Sequence, residues 1–244
     1  MAKIENIIKK IEKFAPLETA QEWDNSGWQI NLHNKETNKI FLALDITEEA
    51  IDEAVKNHCD LIISHHPLFF NPVRKIEEPF IIKAIQNNIQ IYSAHTNLDI
   101  AKGGMSDTLA EKCGFKTTKT VLDFVRYSKF KEEKDFSDLV KHIKKTFDVK
   151  TLKVTNPKRK TYKSIAFCSG SGAEFISELE RIGIDVFITG DVKHHYALNA
   201  SEMTVIDLGH YQSEKFAVDI FEKIINNENV KLIKAKGRQA WELI

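Results

Sequence analysis

From residue 40 onward, short apolar runs alternate with helical patterns, and this alternation constrains the fold more than any other feature of the chain. Residues 40–45, 61–63 and 89–94 read as strands, with helices over 48–57 and 79–87 between them. Strands separated by helices of this length predict βαβ units and a largely parallel sheet. A further helix is expected with Ser106 as N-cap and Gly114 as its stop. The plan then recurs, with strands at 165–168, 186–188 and 204–208 and helices at 173–182 and near 196–200. Lys56-Asn-His-Cys-Asp-Leu-Ile-Ile-Ser64 also resembles Arg181-Ile-Gly-Ile-Asp-Val-Phe-Ile-Thr189. His95 with Asp99 likewise echoes His210 with Glu214. The expectation is α/β, with two similar interlinked α/β lobes of mostly parallel sheets over residues 1–125 and 126–244, elements being free to exchange between them.

Outside this plan, Ile4, Ile7, Ile8, Ile11 and Phe14 recur at helical spacing, so the chain opens with an amphipathic helix that Pro16 stops. The middle, 121–160, reads as a strand, a helix capped by Ser137, a strand near 151–155 and a turn at Asn156-Pro157.

At 244 residues and 42% hydrophobic composition the chain can bury a core without staples. Lys plus Arg equals Asp plus Glu at 35 each, so no overall field draws it to nucleic acid or an anionic membrane. The basic stretch Lys158, Arg159, Lys160 and Lys163 reads as a solvated turn rather than a phosphate footprint. Cys59, Cys113 and Cys168 lack paired spacing, which argues against disulfides and a thiolate zinc cage and fits a reducing cytoplasm. The charged amphipathic start is neither a signal peptide nor a membrane span.

Six of the nine histidines fall in four segments that end or directly follow expected strands. These are Ser64-His-His-Pro67, Ala94-His-Thr-Asn-Leu-Asp99, Gly190-Asp-Val-Lys-His-His195 and Asp207-Leu-Gly-His-Tyr-Gln-Ser-Glu214. Carboxyl ends of parallel strands line the ligand crevice, so such side chains can converge from distant positions. Three histidines with two carboxylates exceed the needs of one tetrahedral ion, whereas two ions sharing a carboxylate use them all. His210 and Glu214 stand four apart, the spacing by which a helix presents two ligands to one metal.

Each piece also has a plainer reading. A single strand-end histidine is usually a hydrogen-bonded rim residue, but the adjacent pair His65-His66 is harder to dismiss, since at a strand terminus both can fan toward one site. Asp99 alone reads as a loop carboxylate or cap. No carboxylate at ligand spacing follows His194 and His195, so a structural or supporting role leads there, and Asp191 is free to orient a ligand histidine. Ser169-Gly-Ser-Gly172 before a helix reads as a plain turn ahead of a phosphate cradle.

Glu22-Trp-Asp-Asn-Ser-Gly27, Ser64-His-His-Pro67, His95-Thr-Asn-Leu-Asp99, Thr189-Gly-Asp-Val-Lys-His-His195 and Gly209-His-Tyr-Gln-Ser-Glu214 occur in this order along nearly the whole chain. Together they resemble the signature of the Ngg-interacting-factor-three-like family, whose members are also labelled dinuclear-metal-centre hexameric proteins and GTP cyclohydrolase I type 2 homologs. The resemblance implies metal ligands at His65, His66, Asp99, His210 and Glu214, the set that the spacing also favours, with His95 close by. It implies a short form without the inserted middle domain of longer members, and a ring-shaped homohexamer whose sites face an internal cavity.

The expected function is that of a cytoplasmic hydrolase with two divalent ions, iron, zinc, manganese or nickel, held between the lobes at strand ends. If the family label holds, the substrate is GTP, attacked at C8 and opened with loss of formate on the way to dihydroneopterin triphosphate. His95 and His194 are the candidate proton shuttles. Phosphoester hydrolysis by the same ions, and a non-catalytic metal-holding scaffold, are the competing expectations.

Overall fold

The computed structural model describes all residues except 117–118, 156–158, 227 and 242–244, so the expected turn at Asn156-Pro157 and the first lysine of the basic stretch, Lys158, lie outside the described residues. The chain divides into two compact units: Met1–Lys102 completed by Lys215–Arg238, and Gly103–Glu214 with the last residues from Gln239.

The first unit opens with β1 (Ala2–Lys3) and α1 (Ile4–Phe14), whose Ile4, Ile7, Ile8 and Ile11 are buried on one face. It continues through β2 (Gly27–Ile30), β3 (Glu36–Thr37), β4 (Lys39–Ala43), α2 (Glu48–Lys56), β5 (Leu61–Ser64), α3 (Pro79–Gln86), β6 (Gln90–Ser93) and α4 (Thr96–Ile100). The second unit holds α5 (Met105–Lys112), β7 (Lys119–Val121), β8 (Val125–Asp135), α6 (Phe136–Phe147), β9 (Lys153–Val154), β10 (Thr161–Phe167), α7 (Ile176–Arg181), β11 (Val186–Thr189), α8 (His194–Asn199), β12 (Thr204–Asp207) and α9 (His210–Glu214). The chain then returns to the first unit with α10 (Ala217–Ile225), which packs on α1, and β13 (Lys231–Lys234).

In the first unit the sheet order is β13-β4-β5-β6-β2, parallel except for β2, which runs antiparallel to β6. β5 and β6 are buried at every residue, as strands covered on both faces must be. Phe41, Ile51, Ile62, Ile81 and Ile91 anchor their core. In the second unit the order is β7-β8-β10-β11-β12-β9, with β10, β11 and β12 parallel. Its flanks, β7, β8 and β9, are antiparallel, and a tight hairpin joins β7 to β8, a connection only antiparallel strands allow. Ala166, Ile176, Leu179, Phe187 and Val205 form the second core.

The repeat extends from pattern to hydrogen bonds. In each unit three parallel strands follow in order, and a strand preceding them in sequence runs antiparallel beside the third. The helix before the middle strand ends in a left-handed residue, His58 (φ 56°) or Gly183 (φ 73°). The next amide then reaches back into the helix, Cys59 to the Ala54 carbonyl and Ile184 to that of Leu179. Asp60 and Asp185 follow: the carbonyl of each accepts from the third strand, from Gln90 and Thr204. Each carboxylate takes a hydroxyl of the first strand or its lead-in, Thr37 for Asp60 and Ser164 for Asp185.

Two expected caps differ. α6 is capped by Asp135, whose carboxylate accepts from the Asp138 amide at 3.0 Å, and Ser137 donates to that same carboxylate. β8 runs up to Asp135, which makes the aspartate the last extended residue and leaves Ser137 inside the helix. At α5 the cap position is Gly104, and Ser106 is a buried first-turn residue whose hydroxyl accepts from the Ser169 amide. The 173–182 helix opens as a 3-10 turn, Ala173–Phe175, before α7.

Candidate metal centre

In the first unit His65 and His66 follow the last residue of β5, and their amides continue the ladder to Ala43, the last residue of β4, and to Leu44 after it. The Ser64 hydroxyl bonds Ser93 at 2.7 Å and the His66 carbonyl at 2.8 Å, tying the ends of β5 and β6 together. His95 follows β6 directly. The ligand atoms of His65, His66 and His95 lie within 4.8 Å of one another. Asp99, on α4 and buried, sets a carboxylate oxygen 3.6 Å from His65 Nε2.

Each imidazole is held by its Nδ1. His65 Nδ1 meets the Ala94 carbonyl at 2.9 Å, His66 Nδ1 meets Asp45 at 2.6 Å, and His95 Nδ1 meets Asp24 at 2.8 Å. Donation through Nδ1–H leaves Nε2 as the lone-pair nitrogen, the state a metal ligand needs. Asp24 also accepts from the Ser26 hydroxyl and from the amide and hydroxyl of Thr96. Burial acts to raise this carboxyl, but the bonds from His95, Thr96 and Ser26 outweigh it and hold Asp24 well below the usual carboxylate range. Ser26 also accepts from the His95 amide, so the Trp23-Asp-Asn-Ser26 stretch is the bracket for His95.

In the second unit His210 and Glu214 occupy the first and last positions of α9, after β12. His210 Nε2 lies 2.9 Å from Glu214 Oε2, and His210 Nδ1 meets Asp191 at 2.8 Å, the orienting role expected for that aspartate. Their seat is bare backbone. A Cβ on Gly170 (φ 64°) would stand 2.4 Å from Glu214 Oε1. One on Gly190 would meet the Gly170 oxygen, the Gly209 carbonyl carbon and the His210 nitrogen at 2.6, 2.7 and 2.7 Å. Three strand-end loops thus close on glycine, and no other residue permits that approach.

The Ser169-to-Gly172 loop is a turn. The amides of Ser169, Gly170 and Gly172 donate to the hydroxyls of Ser106, Ser213 and Thr189, so they are committed within the protein. Arg159 likewise spans the Asp185 carboxylate and the Glu202 carbonyl. His194 is the exposed first residue of α8, and His195 packs on Tyr196 at 4.4 Å. Sequence reasoning missed Asp24 and Asp45, which lie 71 and 21 residues from the histidines they hold.

Oriented imidazoles and buried carboxylates at the strand ends of a repeated α/β plan define a protein equipped to hold a metal ion. The chain belongs to the DUF34/NIF3 (NGG1p interacting factor 3) family, whose profile matches residues 2–239. A Clostridium perfringens relative named GTP cyclohydrolase 1 type 2 homolog is 35% identical, over 99% of this chain and 100% of its own. The Saccharomyces cerevisiae NGG1-interacting factor 3 is 26% identical, over 96% of this chain and 94% of its own. Among solved structures, reduced HcgD from Methanocaldococcus jannaschii superposes with a TM-score of 0.84 at 31% identity, covering 96% of this chain and 98% of its own. A Bacillus cereus protein related to NIF3 reaches 0.86 at 22% identity, with 99% of both chains covered. Among the described residues, no helix is long and apolar enough to cross a membrane.

Proposed function

We propose that His65, His66, Asp99, His210 and Glu214 bind two divalent ions as one centre, and that the protein is a nucleotide hydrolase of the GTP cyclohydrolase I type, converting GTP to dihydroneopterin triphosphate and formate. The carrying observation is the Nδ1 anchoring of His65, His66 and His210, which presets each Nε2 for a cation. Iron, zinc, manganese and nickel all accept this donor set. His65, His66 and Asp99 supply three donors and His210 and Glu214 two; neither share fills the shells of two ions, so we assign both to a single centre. The names of relatives at about 34% identity support GTP as the substrate.

Two cations there would supply Lewis acidity and activated water. His95, outside the assigned ligand set, accepts or returns a proton at Nε2, while ionised Asp24 stabilises its imidazolium. His194, exposed to solvent, is the second proton-transfer candidate. Each unit has an apolar core of its own, so the fold does not depend on the metal as a zinc finger does. We place the protein in the cytoplasm as a homohexamer, which light scattering tests against the 28.0 kDa protomer.

The test is metal analysis of protein purified without chelator, then GTP turnover on the same sample. Two metals per chain and metal-dependent formate release are expected; chelation, or His65→Ala with His210→Ala, should stop release and leave circular dichroism unchanged. Formate release that survives the double substitution overturns the reading. Phosphate in place of formate assigns the centre to phosphoester hydrolysis, and bound metal without turnover assigns it to a scaffold.

A further inference from the structure

Two of the largest exposed apolar side chains border the first unit's histidines: Trp23 is 65% and Phe70 53% exposed. The Trp23 ring stands 6.1 Å from His95, and Phe70 stands 5.7 Å from His95 and 6.2 Å from His66. Isolated exposed apolar residues need no explanation, but the segments that carry these two are tied together. The Asn25 side chain donates to the Phe69 carbonyl at 2.7 Å, the Phe69 amide donates to Gln29 at 3.1 Å, and Gln29 donates back to the Asn25 carbonyl at 2.6 Å. This clasp ties the loop bearing Trp23 to the loop bearing Phe70. Asp24, the next residue after Trp23, fixes His95. The backbone segments that carry the two rings are therefore tied to each other and, through Asp24, to His95, which limits how far the rings can move from the imidazoles.

We propose that Trp23 and Phe70 form a stacking platform that binds the planar heteroaromatic ring of the substrate beside the histidine cluster. The proposal rests on the nucleotide reading above and deepens it: the base is held by π-surface, which is sequence-blind and chemically generic, and the donors are left for the reacting atoms. Ring stacking of this kind contributes about 1–3 kcal/mol per base, which is about 5- to 150-fold in affinity.

The test uses the full chain with its metal and measures binding of GTP and of ribose triphosphate, which lacks the ring. Trp23→Ala and Phe70→Ala should each weaken GTP at least about fivefold, leave ribose triphosphate and metal content unchanged, and Trp23→Phe should restore most of the loss. GTP binding that is unaltered in the double alanine variant overturns the platform. If the wild type binds no GTP, the nucleotide reading has failed, and the platform is then judged by itself. Guanosine, adenosine and pterin should then quench a fluorescence component that Trp23→Phe removes; the absence of such quenching overturns it. So does a Trp23 inaccessible to acrylamide in the native protein, which would mean that a second copy covers the patch.

Discussion

In the first unit three imidazoles are steered through their Nδ1 atoms, two of them by carboxylates from remote segments. In the second, one imidazole meets an aspartate at the surface and its neighbouring carboxylate sits against glycine backbone. The strand plan is shared, and the aligned positions make the contrast sharper. Ser64 corresponds to Thr189, so His65-His66 corresponds to Gly190-Asp191. Where one unit carries two donors, the other carries a bare close approach and an orienting carboxylate. Polar steering requires partners held in place, and the buried one, Asp24, has its remaining bonds satisfied. Steric seating requires only that nothing project.

The comparison predicts different kinds of failure. The largest effect is expected for Gly190→Ala, because the new methyl meets three backbone atoms that have no rotamer to escape into. A loss of about 3 kcal/mol, read as a melting temperature lower by about 6–12 °C, is expected from overpacking of this severity. A shift below about 1 °C would show that the junction gives way and that seating is not steric. Next is Asp45→Asn, which removes the charge that orients His66 and should weaken metal binding about 10- to 100-fold with little change in melting. Titration calorimetry with Zn²⁺ or Mn²⁺ reads this directly, and unchanged affinity would show that Asp45 does not steer His66.

Asp185→Asn tests the feature common to both units. Its carboxylate accepts from the amides of Lys163 and Ser164 at 2.7 and 2.9 Å and from the Ser164 hydroxyl at 3.1 Å. Burial acts to raise the Asp185 carboxyl, but the bonds from Lys163 and Ser164 and the charge of Arg159 lower it overall. A carboxyl lowered on folding stabilises the protein above its unfolded pKa of about 3.9 and loses that contribution as pH falls through the folded value. The substitution should cost about 1–2 kcal/mol at pH 7 and progressively less as pH falls below about 3.9 toward the lower folded value; a pH-independent cost contradicts the assignment. The smallest effect is expected for Asp191→Asn, below about 1 kcal/mol in metal affinity, since the pair is surface-exposed and the His210 backbone is already seated by the glycine junction. If Asp191→Asn matches Asp45→Asn, the two units steer alike and the contrast falls.

Much of this was legible in the chain because it is written in local periods. Ile4, Ile7, Ile8 and Ile11 declare α1, the apolar runs declare the parallel strands, and histidines clustered at strand ends mark the candidate site. Positions decided by tertiary demand were not legible. Ser106 looks like a cap but serves the Ser169 amide, and Ser137 lost the cap to Asp135 because the strand before it runs longer than its composition suggests. Asp45 and Asp24 are ordinary loop acids until the fold brings His66 and His95 to them. The steric role of Gly190 was not legible, since a glycine after a strand reads as a turn until the two loops that close on it are known.

That glycine also carries a historical consequence. If the two units descend from one ancestral unit, Gly190 acts as a ratchet: once neighbouring loops have settled onto it, restoring a histidine like His65 is blocked at the first carbon of the side chain, before the imidazole matters. The halves can continue to specialise, but single substitutions no longer lead back to a symmetric ancestor.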